Sequence, residues 1–381
     1  MRYICLLLAF LMLLCGCSPE AAVPSVPETD PTAAPTAAAT EPPVTTPADP
    51  MEVLLGKMTT EEKVGQLFLA RCPDTDAITD LCRYHLGGYI LFGRDFDGQT
   101  PLHLIKTLGD YQASATIPML IAVDEEGGTV CRVSNHIAFR SSRFPSPREL
   151  YARGGLERVL ETEEEKAALL QGLGINVNMA PVCDIATKAG SFMYTRSLGE
   201  SPEITGQFAA GTVKVMAEYG VGSVLKHFPG YGNNADTHTG IAVDQRSLEE
   251  LEGCDLIPFA AGIEAGCDAI LVSHTIVNAL DDALPATLSP TVHAYLRETM
   301  GFDGVIVTDD LVMQAITDSY GAGEAAVLAV MAGNDLLCST EYALQYEAVL
   351  EAVEKDRISQ EILDDAVLRV LRWKQELGLL K

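Results

Sequence analysis

GVIVTDD, residues 304–310, decides the fold. Val305, Ile306 and Val307 are β-branched and apolar in succession, without the alternation of a strand that is wet on one face, so the segment reads as a short strand covered on both sides. Strands of that kind belong to parallel sheets whose crossover helices pack over the faces. Two carboxylates, Asp309 and Asp310, close the run.

Seven further stretches repeat the pattern: VGQLFLAR (64–71), GGYILFGR (87–94), PMLIAVDEEGG (118–128), INVNMAPVCD (175–184), GSVLKHFPG (222–230), AILVSH (269–274) and NDLLCS (334–339). Eight such units, separated by enough chain for helices, predict an α/β fold of the (β/α)8, TIM-like barrel kind, with a single catalytic domain over residues 51–381. In MTTEEKVGQL, Thr59 and Glu62 offer a capping box for the first of those helices. The last segment places Ile362, Ala366, Val370 and Trp373 at helical spacing, which predicts an apolar stripe on the barrel and makes the only tryptophan a core residue rather than a sugar platform.

Polar residues gather at the C-terminal ends of these runs: Asp124, Asp184, Lys226, His227, His274 and Asp309. In a barrel those ends converge on one mouth, where barrel enzymes carry their active sites. Charged residues that merely terminate strands account for one or two such positions. Asp309, directly after its strand, is held rigidly and suits a nucleophile or electrostatic stabiliser, although aspartate in that place also caps helices. Asp310 is expected to point elsewhere.

The stretch KHFPGYGNNADTHTG, residues 226–240, sets Asp236 two residues before His238 on a glycine-rich loop. A carboxylate there can fix the imidazole tautomer and raise its basicity, giving an acid/base near neutral pH. A solvated loop histidine is the bland reading. A metal site has less support, because no HxH, HExxH or other ligand spacing accompanies it. Arg132, Arg196, Lys226 and His227 could donate hydrogen bonds to hydroxyls and keep a nearby nucleophile ionised.

The chain opens with MRYICLLLAFLMLLCGCSPE, one early positive charge and a short apolar run, which reads as an export signal over residues 1–17. LLCGC is similar to the bacterial lipobox, and that likeness makes Cys17 the lipidated residue of an extracytoplasmic, membrane-anchored protein. Residues 18–50 hold nine prolines among small and polar residues, so they form a disordered tether with a reach on the order of 100 Å. The net charge of −27 argues against nucleic acid and anionic membrane surfaces as partners and leaves a neutral glycan unaffected. Seven cysteines remain beyond Cys17, an odd number without a CxxC, which predicts buried free thiols.

AVDEEGGTVCR, APVCD, TRSLGE, KHFPGYG, DTH and GFDGVIVTDDLVM, in that order, resemble glycoside hydrolase family 3 in its β-N-acetylhexosaminidase branch, as do the opening MTTEEKVGQLF and the closing RVLRWKQELGLL. The resemblance implies a retaining double displacement without a cofactor or metal. Asp309 would attack the anomeric carbon, His238 would serve as acid and then base with Asp236 as its partner, and Asp124, Arg132, Arg196, Lys226 and His227 would hold the terminal sugar. Retaining glycosidases ordinarily use two carboxylates, so an Asp–His pair is a departure. Two residues differ from the family's KHFPGHG and DSH: Tyr231 and Thr237. A proline that often follows the dyad is also missing.

The expected activity is an exo-acting β-N-acetylglucosaminidase on peptidoglycan fragments or chitooligosaccharides, working as a monomer. Two alternatives stay open. A phosphorylase is compatible with a neutral histidine, which does not repel phosphate; a sugar-binding lipoprotein without turnover is the non-catalytic reading.

Overall fold

In the computed structural model, which describes residues 49–381 apart from 235, 238 and 239, the strands in chain order are β1 (Phe68–Arg71), β2 (Gly88–Leu91), β3 (Leu120–Val123), β4 (Glu125–Gly127), β5 (Val130–Cys131) and β6 (Val177–Asn178). They continue with β7 (Gly222–Phe228), β8 (Val243–Asp244), β9 (Ala269–Val272), β10 (Ile276–Val277), β11 (Val305–Thr308) and β12 (Leu337–Ser339). Eight of them build one parallel sheet in the order β11-β9-β7-β6-β3-β2-β1-β12. A bridge between Val307 and Leu336 joins its two end strands and closes the barrel. The signal segment, Cys17 and the tether as far as residue 48 lie outside the described residues, as does His238.

All eight expected runs supply a barrel strand, with adjusted edges. Residues 64–66 belong to the helix Thr60–Gln66, whose Thr59–Glu62 capping box forms as expected. β6 is only two residues long because Pro181, which has no N–H, follows it; the ladder to β7 resumes where Cys183 N donates to the Lys226 carbonyl at 2.7 Å. The tether boundary moves as well. Asp49 caps the helix Pro50–Leu55 and pairs with Arg372 at 2.7 Å, so residues 49 and 50 belong to the folded unit.

Side chains alternate across each strand, and every second residue enters the barrel interior. One buried cluster joins Leu69, Ile90, Ala122, Val177, Val224, Val307 and neighbours to Val370 and Trp373. Trp373 lies over Gly222 at the N-terminal end of β7, where a Cβ would come within 2.8 Å of its ring. The tryptophan is therefore a core residue, as expected.

Ile362 is not: it is 38% exposed, and the buried stripe of the helix Gln360–Glu376 runs through Leu363, Ala366, Val367, Val370 and Leu371. Ser359 caps this helix by accepting from Ile362 N, which sets Ile362 in the first turn on the outer side. The seven described cysteines beyond Cys17 are free thiols, five of them buried. No helix among the described residues is long and apolar enough to cross a membrane.

The same helix buries Lys374, whose Nζ donates to Gln66 Oε1 at 2.6 Å. Burial pushes its ammonium down to about 7 from 10.5. The unfolded chain then holds one more proton than the native state between those two values, so this group makes stability rise with pH across that window. We expect urea midpoints to increase from about pH 6.5 to 8.5, and Lys374→Met to lose most of that increase. A variant that keeps the full pH slope would contradict the assignment.

Candidate active site

The residue two places beyond an inward-facing core residue is again inward-facing, one layer higher. Leu69 thus leads to Arg71, Ile90 to Phe92, Ala122 to Asp124, Val177 to Met179, Val224 to Lys226 and Val307 to Asp309. These upper residues, with Leu271 and Cys338, line a cavity of about 740 Å³ to which each of the eight barrel strands contributes itself or its next residue. Asp124, Arg132, Arg196, Lys226, His227 and Asp309, all named from sequence, meet on its wall.

Asp309 is set by its backbone. Its N–H donates to the Val272 carbonyl at 3.3 Å and its Oδ1 accepts the Asp310 N–H at 2.8 Å, which fixes the carboxylate at the start of the following turn. Asp310 also lines the cavity, but its carboxylate is engaged: it accepts from Val312 N at 3.2 Å and from Thr340, tying the loop after β11 to the end of β12. His274 is buried, not on the cavity wall. Its Nε2 lies 3.0 Å from the Asp310 carbonyl, so it supports this turn from behind.

The cations are organised by a carboxylate that the sequence reading passed over. Glu126, 2% exposed, takes Arg196 in a two-point fork, Nη2 to Oε1 at 2.6 Å and Nε to Oε2 at 2.9 Å. Lys226 Nζ lies 2.7 Å from both Glu126 Oε1 and Asp124 Oδ1, and Arg132 approaches Asp124 at 3.5 Å. Burial works against the charge on Glu126, but the fields of Arg196 and Lys226 outweigh it and hold its carboxyl well below the ordinary range. For Lys226 burial is likewise outweighed, by Asp124 and Glu126, and its ammonium is raised. The pairs made by Arg196 and Lys226 go to Asp124 and Glu126.

Local structure explains the placement. Glu126 and Arg132 ride on the β4–β5 hairpin, whose Gly127 has φ +105° and would put a Cβ 2.4 Å from the Pro145 carbonyl oxygen. Glu125, fully buried, fastens the same hairpin by accepting from Val133 N at 2.7 Å and from Ser134. Arg196 sits on a loop gripped by Arg148, which donates to the Tyr194 carbonyl at 2.9 Å and the Ala186 carbonyl at 3.1 Å.

His227 owes its tautomer to Asp184. The carboxylate only accepts, so Nδ1, 2.8 Å away, carries the proton, and Nε2 is left to accept from Arg196 Nη2 at 3.3 Å. Asp184 Oδ1 also accepts Tyr231 N at 2.7 Å. The tyrosine ring stands edge-on to His227, and its hydroxyl bonds the Thr237 hydroxyl. The two departures from the family's motifs are thus partners in space. Burial raises the Tyr231 phenol, as do the charges of Asp309, Asp184 and Asp236 around it. Asp236 is half-buried beside Thr237 and is not on the cavity wall.

The sequence matches the family described as glycosyl hydrolase family 3 N terminal domain over residues 59–373. The chain belongs to glycoside hydrolase family 3. Its relatives include a beta-hexosaminidase of Tolumonas auensis, 36% identical over 281 residues that cover 72% of this chain and 81% of the relative. The beta-hexosaminidase LpqI of Mycobacterium tuberculosis is 30% identical over 331 residues, 82% of each chain. A solved family 3 beta-N-acetylglucosaminidase from Paenibacillus superposes with a TM-score of 0.79 at 36% identity. That match covers 84% of this chain and spans 63% of the length of the Paenibacillus chain.

Glu126 to this family 3 site is a buried counter-charge, and removing one partner of such a group costs about 3–5 kcal/mol. Glu126→Gln is expected to lower unfolding free energy by about that amount in urea titrations and to raise KM for the sugar substrate. Unchanged stability would show that Arg196 and Lys226 do not depend on it.

Proposed function

We propose that this family 3 enzyme is a retaining exo-β-N-acetylglucosaminidase that acts through Asp309. One observation supports the reading: a carboxylate fixed at the end of β11 shares a single cavity with the hydrogen-bond donors Lys226, Arg196 and Arg132. Lys226, Arg196 and Arg132 present N–H donors, and Asp124 and the Nε2 of His227 present acceptors, a mixture suited to the ring hydroxyls of one terminal sugar. The site belongs to a glycoside hydrolase, and the named relatives point to β-N-acetylhexosaminides as its substrates.

In the first half-reaction the Asp309 carboxylate attacks C1 while the glycosidic oxygen takes a proton; in the second, water attacks C1 and Asp309 leaves. We assign the proton transfers to His238, supported by Asp236, on the strength of the DTH motif alone, since His238 lies outside the described residues. The Pro-rich tether and the lipobox-like LLCGC support an enzyme anchored through Cys17 outside the cell membrane, where peptidoglycan fragments and chitooligosaccharides are available.

Asp309→Ala should reduce kcat for p-nitrophenyl β-N-acetylglucosaminide by at least about 10³-fold while leaving the thermal transition in place. Turnover within about tenfold of the parent would remove Asp309 from the chemistry.

A further inference from the structure

Lys166 forms a buried ion pair that lies outside the cavity wall and has no part in the chemistry described above. It stands on the helix Pro147–Leu173, three residues after Glu163 and on the same face, and neither side chain is more than 2% exposed. Its Nζ lies 2.7 Å from Glu163 Oε1 and donates at 2.7 Å to the main-chain carbonyl of Glu126. The residue whose carboxylate grips Arg196 and Lys226 is therefore held twice, by those cations on its side chain and by Lys166 on its backbone.

Stability does not explain the pair. Burial strips both ions of their hydration, and an apolar pair of similar volume serves a core as well or better. Glu163 shows the cost: its Oε2 is buried without a partner, and burial, against the pull of Lys166 and with the push of Glu125, raises its carboxyl. What no apolar side chain supplies is a donor to the Glu126 carbonyl.

The backbone at that point needs one. Gly127 and Gly128 follow Glu126 at φ +105° and +66°, and two glycines in succession give the chain little preference of its own for one course. Lys166 Nζ reaches this bend, 3.6 Å from where a Cβ on Gly127 would stand. Gly128 N donates to the Phe144 carbonyl at 2.8 Å, and the Lys166 ammonium lies 5.8 Å from the Phe144 ring. Lys166 thus joins the helix, the Phe144 segment and the hairpin at the residue that organises the cations of the cavity.

We propose that Lys166, with Glu163 as its counter-charge, is a positioning residue for sugar binding: it fixes the Glu126 backbone so that the Glu126 carboxylate aims Arg196 and Lys226 into the cavity. The assignment rests on the function proposed above for the sugar it concerns.

Full-length Glu163→Leu/Lys166→Met removes both ions and leaves an apolar pair, so the core is kept while the donor to Glu126 is lost. On p-nitrophenyl β-N-acetylglucosaminide we expect KM to rise at least about threefold with kcat within about threefold of the parent, because the displaced groups hold the sugar in ground and transition states alike. A smaller rise in KM, or a larger fall in kcat, overturns the proposal. Loss of the cooperative thermal transition in the double variant also overturns it, since the pair then serves the fold itself. Absence of hydrolysis by the parent enzyme speaks instead against the function proposed above. The coupling of Lys166 to Glu126 is then read from urea midpoints: Glu126→Gln should lower the midpoint at most half as much in the double variant as in the parent chain, and any greater fall overturns the proposal.

Discussion

The mouth of the barrel depends on one buried group of charges: Glu126, Arg196, Lys226 and Asp124. With Lys226 and Glu126 side chains only 3% and 1% exposed, neither could stay ionised without its charged partners. Such a group adds little net stability over an apolar replacement, but breaking it is costly, so it fixes geometry more than it holds the fold together. Its members come from β7, the hairpin after β3 and the loop gripped by Arg148. Three distant parts of the chain are thereby held in one register around the cavity. A ligand then meets donors and acceptors that are already aimed, which is how a site lowers a barrier without reorganising.

Much of this was legible in the sequence because the two periodicities of a barrel are simple. Uninterrupted apolar runs marked the strands, and the polar residue closing each run marked the mouth. The rule that found Asp124, Lys226 and Asp309 applies equally to Arg71, two places after Leu69, which the reading did not single out. Glu126 was less visible for a physical reason. In DEEGG three acids stand in succession, and only the twist of the hairpin decides that Asp124 faces the cavity, Glu125 fastens the backbone and Glu126 is buried under the cations. Asp184 was noted as a strand end, while its task of fixing the His227 tautomer needed coordinates.

The departures from the family's motifs gain meaning in the same way. Tyr231 and Thr237 looked like two unrelated replacements, yet their hydroxyls bond each other next to Asp236. The phenol keeps a hydrogen bond between the turn after β7 and Thr237. Ile362 shows the opposite case, where helical spacing alone chose the wrong member of a pair. The cap at Ser359 rotates the stripe onto Leu363, a choice made by a hydroxyl outside the periodic segment.

The central claim is that the cavity directs one carboxylate, Asp309, onto the anomeric carbon. Trapping with a slow fluorinated N-acetylglucosamine donor, followed by peptide mass mapping, tests it most directly. The account predicts a sugar adduct on the peptide containing GVIVTDD, fragmenting to Asp309. An adduct on Asp124 or Asp310, or inactivation with no adduct at all, would contradict it.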